Sequence, residues 1–596
     1  MLFSLDEEKK RVEMRFFKSY DIGSCMYMFL ILFYAQQVVA QTILVDENMS
    51  DWDDIEEYTQ ESTGDFGSGE LDIKSVKIYD DDRFIYFLLR LNSEILLQQF
   101  NDLSLFIDTD NNSNTGVELE DIGYEFEFSF GDREGYAYLD GVTSISSYDV
   151  GLVSAPTVTS DFFEIKMDKK TEINGIKLFN SDTLAFFFRT QVSGGDLAPD
   201  DPSSFSYTFK NGKSAFNSSI HLDRETEFDL RFLSYNVYRD YLFNLEARDN
   251  FRRIFQFIEP DIIGLQEVYD NSGTDAAILI KEFLGGQWYS GDVGNDNLLV
   301  SRYPILKQKE VKGNAAYLVK IDNISFQNVL VIVAHPPCCS NDQGRQDEID
   351  AFMAFLRESK DGGEFDIAEN TPIVIIGDMN LVGLNQQVKT MLTGDIINEI
   401  EYGQDFLPDW DGTALEDVKP FNPGMPTTFT WYNENSSFGA GRLDYIVYSG
   451  SVLELGTNFS LHSKTLPQEF LDTTFLQRND TYEASDHLPI VADFRNKEVT
   501  NSEVGSIKSQ SFRLHQNYPN PFNPSTTISY TVDKPSHIEL VVTNSIGQAV
   551  STLVNRVQQS GNYTINFDAS GLSSGIYTYW LRVDGLQLSK TMTLVK

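Results

Sequence analysis

Cysteine is nearly missing from this chain, with three residues in 596. Cys25 falls in a segment read below as a removable leader, and Cys338 and Cys339 are neighbours. Two adjacent thiols cannot brace a fold, so a disulfide framework is excluded. Positive charge is also scarce: 46 Lys and Arg stand against 90 Asp and Glu, a formal net charge of −44. A surface this acidic repels polyanions unless a cation or a local basic groove intervenes. Solubility in a salty exterior is the simplest cause of the excess. Histidine is rare, six in all, so any two that share a pattern carry information. No apolar run reaches the roughly 20 residues that span a bilayer; CMYMFLILFYA at 25–35 stops at eleven. No repeat of solenoid period is present.

That short run has a different meaning. Arg15 and Lys18 precede it and Val38, Val39 and Ala40 follow, the layout of a secretory signal peptide over 1–40 that is cut after Ala40. The acidic stretch LDEEKK is foreign to such a leader, which makes Met14 a second candidate start. Cys25 lies ahead of the apolar run, where a lipid-attachment cysteine does not, so the chain is not read as a lipoprotein.

The length calls for several domains, roughly three to five, and 41% hydrophobic with 13% aromatic residues supplies their cores. From 41 to 222 the texture is β-rich. KSVKIY, RFIYFLLRL, LSLFID and YEFEFSF are short runs of β-branched and aromatic residues separated by turns, which predicts a β-sandwich. From 223 to 496 apolar strands such as LRFLSYNV, NVLVIVAH and PIVIIGDMN each end on a polar residue. Helical patterns such as EARDNFRRIFQFIE lie between some of them, which predicts an α/β domain. A polar linker over 497–511 leads to a last segment, 512–596, whose Pro-Asn turns and alternating strands predict a second, small β-sandwich.

The polar strand-end residues of the middle segment are Asn236, Glu267, His335, Asp378, Asn380, Asp444, Asp486 and His487. Carboxylate and amide oxygens suit a hard divalent cation, Mg²⁺ or Mn²⁺. Asn and His donors suit charge growing on phosphate oxygens, and an imidazole can carry the proton. Each residue alone has an ordinary reading as well: a strand end for Asn236, a salt-bridge partner for Glu267, a Gly-Asp turn for Asp378, a surface pair for Arg442 and Asp444, a core imidazole for His335.

In order, SYNV, LQEV, GDMN, RLDYI and SDHLPIVADF resemble the endonuclease/exonuclease/phosphatase superfamily over about residues 228–496. The resemblance implies a deoxyribonuclease-like four-layer α/β sandwich with a phosphoesterase site at one edge. It implies metal ligands at Glu267, with Asn236 beside it, and at Asp486. Asp378 and Asn380 would orient the attacking water and bind phosphate, and His487 would face the scissile phosphate, oriented by Asp444. His335 matches a second catalytic histidine, and its acidic partner is expected at Asp292 or Asp296.

Four further signals stand beside this set. PPCCSND directly follows His335, and in an oxidising exterior Cys338 and Cys339 are expected to pair with each other at the rim of the site. DTDNNSNTG places Asp108, Asp110, Asn112 and Asn114 at alternate positions, as a structural Ca²⁺ loop would, although Ser113 and Leu119 depart from the EF-hand. With VDENMSDWDDI, the first segment resembles family-nine carbohydrate-binding modules, which implies a cell-surface glycan as a partner. The tail, NYPNPFNPSTTISYTV to KTMTLVK, resembles the C-terminal sorting domain of type IX secretion. That implies handling by the type IX machinery and a place outside a Gram-negative bacterium, secreted or on its surface.

The reading is therefore a secreted, monomeric, divalent-metal-dependent phosphoesterase, a nuclease or general phosphodiesterase. Acidic residues outnumber basic ones about two to one across 223–496, a poor background for non-specific duplex binding unless a metal bridges to phosphate. A sphingomyelinase or inositol-phosphate phosphatase stays open. The former would need a membrane-seeking hairpin, for which FTWYNENSSFG at 429–439 is the candidate, or else a loop beside the site. A non-catalytic surface-binding protein is the rival from another class.

Overall fold

In the computed structural model the described residues are 43–60, 71–190, 195–199, 204–212, 220, 222–321, 327–497, 512–532, 534–544, 548–583 and 586–596. The expected leader and nearly all of the expected linker lie outside them.

The first segment builds a five-stranded and a seven-stranded sheet, both mainly antiparallel. KSVKIY lies in strand Ile73–Asp80, all of RFIYFLLRL but its first residue in Phe84–Ile95, and LSLFID is Leu103–Asp108. Alternate aromatic side chains turn inward, so Phe87, Phe126, Phe186 and Phe188 meet in one core shared by both sheets.

The strands of the middle segment are numbered here from its start. They are β1 (Leu230–Asn236), β2 (Ile262–Gln266), β3 (Tyr289–Gly291), β4 (Leu298–Ser301), β5 (Ile305–Val311) and β6 (Asn314–Lys320). Then come β7 (Asn328–Ala334), β8 (Ile373–Asp378), β9 (Glu416–Asp417), β10 (Asp444–Tyr448), β11 (Leu453–Ser460) and β12 (Ile490–Asn496). They form two six-stranded sheets, ordered β3-β4-β2-β1-β12-β11 and β5-β6-β7-β8-β10-β9. Between the sheets Phe232, Val331, Val333, Ile376, Ile446 and Phe494 share one core. Helix α1 (Arg248–Ile258) packs on the first sheet through Phe251, Ile254, Phe255 and Ile258, spaced at one face of a 3.6-residue period. Helix α2 (Asp342–Lys360) covers the second sheet through Ile349, Phe352, Met353 and Leu356. The Asn341 side chain caps its start by accepting from the Gly344 N–H at 3.1 Å.

Register then decides where the polar ends meet. β1 and β2 run parallel, with Asn236 opposite Gln266, and β12 returns antiparallel with Ile490 opposite Ser234. In the other sheet β7 and β8 run parallel, and Asp378 at the end of β8 lies opposite Asp444 at the start of β10. The six strand mouths thus open along one edge, on facing sheets.

The last segment forms sheets of three and four strands around a core that includes Ile528, Tyr530, Leu540 and Tyr579.

One buried group ties stability to pH. His462, just past β11, is 1% exposed against Phe429 and Tyr432, and neither ring nitrogen has a hydrogen-bond partner. Burial, with Lys464 nearby, pushes its pKa down to about 3 from 6.5. The folded state therefore resists protonation of this ring while the unfolded state accepts it, so its stability is complete above pH 6.5 and is lost as pH falls towards 3. At pH 4.5 the loss is on the order of 2–3 kcal/mol. Urea unfolding of wild type and His462→Leu should show a stability difference that shifts in favour of the variant between pH 7 and pH 4.5. A difference independent of pH would contradict this.

Candidate active site

Asn236 ends β1 with its side chain wholly buried, and its amide nitrogen donates to two carboxylates, Glu267 Oε1 at 3.1 Å and Asp378 Oδ2 at 3.0 Å. Its own oxygen accepts from the Tyr238 N–H at 3.0 Å. Glu267, one residue past β2, has φ +61, a left-handed turn that a bulky residue holds only when its surroundings over-determine it. Here they do: its Oε2 accepts from the Arg239 N–H at 2.9 Å, and its carbonyl accepts from the Asp240 N–H.

Asp378 Oδ2 is the hub. Besides the Asn236 amide it faces His335 Nε2 and His487 Nε2, each at 3.5 Å. Each imidazole is held from behind by its own carboxylate. His487 Nδ1 lies 2.8 Å from Asp444 Oδ2, and His335 Nδ1 lies 2.6 Å from Asp296 Oδ2. A carboxylate on Nδ1 fixes the tautomer and raises the basicity of the ring. Thr430 Oγ1 donates to Asp444 Oδ2 at 2.7 Å, while Asp444 Oδ1 is buried with no hydrogen bond. Asn380, also left-handed at φ +51, donates its N–H to Asp378 Oδ1 and its side-chain amide to the Pro336 carbonyl, both at 3.0 Å.

Asp486 is joined to this group less directly. Its Oδ2 accepts from Trp431 Nε1 at 3.3 Å, and its neighbour Ser485 donates from Oγ to the Asn236 carbonyl at 2.9 Å. No hydrogen bond links Asp486 to Glu267.

Burial lowers the pKa of both imidazoles, but the carboxylates outweigh it. The result is a rise to about 10 for His487, from Asp444 and Asp378, and to about 9 for His335, from Asp296 and Asp378. Burial raises Asp444 to about 6, against the opposing pull of His487. Among the described residues no lysine or arginine makes an ion pair with Glu267, Asp378, Asp444 or Asp486; only the two imidazoles do. Five carboxylates, Glu267, Asp296, Asp378, Asp444 and Asp486, thus stand against two imidazoles, and the excess of carboxylate oxygen is a donor set that fits a hard divalent cation.

The choice between Asp292 and Asp296 falls to Asp296. Its carbonyl accepts from the Val268 N–H, which sets it beside Glu267, whereas Asp292 caps the Gly273 N–H. Cys338 and Cys339 are joined by a disulfide close to His335. The 429–439 segment is a loop beside the site and not a free hairpin: Tyr432 packs on Tyr148, Phe438 lies under the Arg133 guanidinium, and Gly439 N–H donates to Gln98. In the first segment, Asp108 and Asp110 are joined by Glu125, which the loop pattern did not include; one carboxylate oxygen of each lies within 4.8 Å of the others. Asn112 Oδ1 instead accepts from Asn114. The signal for Glu125 was there, a carboxylate inside the aromatic run YEFEF.

Residues 233–487 match the model of the Endonuclease/Exonuclease/phosphatase family. The middle of the chain is a domain of that family. Its members depend on a divalent metal, and the chain is a metal-dependent phosphoric ester hydrolase. Residues 516–595 match the Secretion system C-terminal sorting domain, which marks a secreted or cell-surface protein of a Gram-negative bacterium that engages the type IX machinery. Solved structures similar to parts of the chain include ANGEL2, a 2′,3′-cyclic phosphatase, at 17% identity over 47% of this chain and 100% of that one, TM-score 0.31. The AP endonuclease LMAP from Leishmania major is 12% identical over 46% of this chain and 92% of its own, TM-score 0.27. The catalytic domain of Xenopus laevis APE2 is 12% identical over 45% and 92%, TM-score 0.26. None of the curated proteins matches the chain.

Proposed function

We propose that this domain hydrolyses phosphodiesters, and that its substrate is a nucleic acid or a related diester. The observation that carries the reading is the Asp378 hub, one carboxylate oxygen faced by an amide and by two imidazoles that are each backed by an acid. Glu267, with Asn236 beside it, and Asp486 would hold a divalent cation, Mg²⁺ or Mn²⁺. When bound, that ion supplies charge neutralisation for the phosphate oxygens and a polarised environment for water.

The chain's own residues would do the rest. Asp378 and Asn380 orient a water in line with phosphorus, and Asp378 takes its proton as the new P–O bond forms. His487, kept protonated by Asp444, lies against the opposite oxygen and gives up its proton as the old P–O bond breaks. His335, tied to Asp296, donates to a non-bridging oxygen and spreads the developing charge.

Two features favour a nucleic acid over a phospholipid. Tyr238 and Tyr269, two residues beyond Asn236 and Glu267, are 47% and 55% exposed, which suits stacking on a base. The 429–439 loop is packed on the first segment and is not free to enter a membrane.

Around this centre we place a four-layer α/β domain at 223–496, an N-terminal β-sandwich at 41–222 that takes a surface glycan, and a sorting domain at 512–596 behind a linker at 497–511. The mature protein acts as a monomer. Asp108, Asp110 and Glu125, with Asn112 and Asn114 in the same loop, would hold a structural Ca²⁺. Saturating Ca²⁺ at 100 times its dissociation constant should add about 2.7 kcal/mol of stability, read as a rise in melting temperature that Glu125→Gln abolishes. No response to Ca²⁺ in the wild type would remove that site.

The function itself is tested by hydrolysis of bis-p-nitrophenyl phosphate with Mg²⁺ or Mn²⁺, with and without EDTA, followed by DNA, RNA, sphingomyelin and inositol phosphates. EDTA-sensitive cleavage of the diester and of DNA or RNA is expected. No cleavage of any of them would point to a binding protein.

A further inference from the structure

The residues that orient His487 do not rest on the family domain alone. Arg442, two positions before Asp444, has a side chain only 2% exposed and is gripped on both sides of its guanidinium. Its Nε and Nη2 donate to the two oxygens of Glu47 at 3.1 and 2.7 Å, and its Nη1 donates to both oxygens of Asp417 at 3.0 and 2.8 Å. The guanidinium lies 3.9 Å over the Tyr445 ring. Glu47 belongs to the first segment, 395 positions away in sequence. It too is fixed, at φ +66, with its N–H donating to Glu164 Oε2 at 2.7 Å. Glu164 sits in strand Ser160–Asp168 and also accepts from Asp46 N and Trp52 Nε1. Lys419, from the family domain, donates to the Asp46 carbonyl at 2.9 Å from the other side.

Two more ties reach the same place. Thr157 Oγ1, from the first segment, is within hydrogen-bond range of the Leu381 carbonyl at 2.9 Å and the Arg442 carbonyl at 3.1 Å, and so spans the chain just past Asn380 and just before Asp444. Val45 pairs with 426–428, immediately ahead of the Thr430 that bonds Asp444. Behind these bonds Val45, Trp52, Tyr86, Phe429 and Leu488 share one buried apolar cluster, and Leu488 is the residue after His487. The described residues from 43 onward belong to one compact unit. A recognition module on a flexible tether would make none of these contacts.

We infer that Arg442 is a positioning residue and that the first segment is a built-in support of the active site, holding Asp444 and through it the His487 ring from behind. Arg442 offers a fork whose two sides match two carboxylates at once, a geometry that lysine cannot reproduce. Removing one carboxylate lets the β10 start relax, and a shift of about 1 Å at an orienting group is enough to cost about 10²-fold in rate.

The inference rests on the phosphoesterase reading for its activity readout, so a second readout stands apart from activity. In the full-length chain Glu47→Gln should lower kcat on bis-p-nitrophenyl phosphate about tenfold or more, with KM within about twofold, while the far-ultraviolet dichroism stays unchanged. Thr157→Val, which keeps the side-chain shape, should lower kcat in the same direction by about threefold and serves if Glu47→Gln does not fold. In parallel, the downfield proton of the His487–Asp444 hydrogen bond, assigned by its loss in His487→Gln, should shift or broaden in both variants. Folded variants with wild-type kcat and an unmoved imidazole proton would overturn the inference. If the wild type hydrolyses nothing, the phosphoesterase reading fails, and the imidazole proton alone decides the positioning role.

Discussion

His487→Ala should lower turnover of bis-p-nitrophenyl phosphate by roughly 10³–10⁴-fold, with little change in KM. The size follows from what the ring does in this arrangement. Its Nδ1 is tied to Asp444, so its Nε2 is the nitrogen presented to the hub at Asp378. As the acid we propose at the leaving oxygen, it would matter only in the transition state, so its loss is expected on kcat rather than on substrate binding. Alanine also strands Asp444, a buried carboxylate that would keep only its Thr430 contacts. For that reason His487→Gln is the better companion, because its amide can still donate to Asp444 but cannot carry a proton. Stopped assays on both variants at saturating metal check the expectation. A variant within tenfold of wild type would place the proton transfer elsewhere.

Glu267→Ala is the second large effect. It removes the carboxylate that sits at the end of β2 in a strained turn, bonded to Asn236 and to the Arg239 N–H. The expected loss is roughly 10³-fold at fixed metal concentration. Unlike the histidine variant, it should be partly rescued by more Mn²⁺, because the damage is to ion binding and not to proton transfer. Titration calorimetry with Mn²⁺ separates the two: affinity falls in Glu267→Ala and stays near wild type in His487→Ala. Equal Mn²⁺ affinity in wild type and Glu267→Ala would remove Glu267 from the ion.

Much of this could be read from the chain because the site is written at strand ends. An apolar run followed by one polar residue marks Asn236, Glu267, His335 and Asp378, since only the residue leaving the sheet can turn to the cleft. Which strands lie side by side is a matter of long-range pairing, and there local pattern is silent. Asp292 and Asp296 look alike in GDVGNDN; only the path of the chain past Val268 brings Asp296 to His335. Arg442 and Asp444 look like a surface pair, yet each is buried and each faces a different partner, Glu47 with Asp417 in one case and His487 in the other. Glu125 stands out as a carboxylate within YEFEF, but its link to Asp108 and Asp110 runs across strands and not within their loop, so its partners were not legible. The docking of the first segment onto 426–431 and 440–443 left no mark in the sequence, because contacts between separate cores have no periodicity of their own.

The most direct measurement is the anomalous scattering of Mn²⁺ in crystals of the full-length protein. An ion bound by Glu267 through oxygen at about 2.0–2.6 Å, on the same side as Asp378 and the two imidazoles, is the predicted result. Manganese found only at Asp108, Asp110 and Glu125, with none at Glu267, would contradict the account.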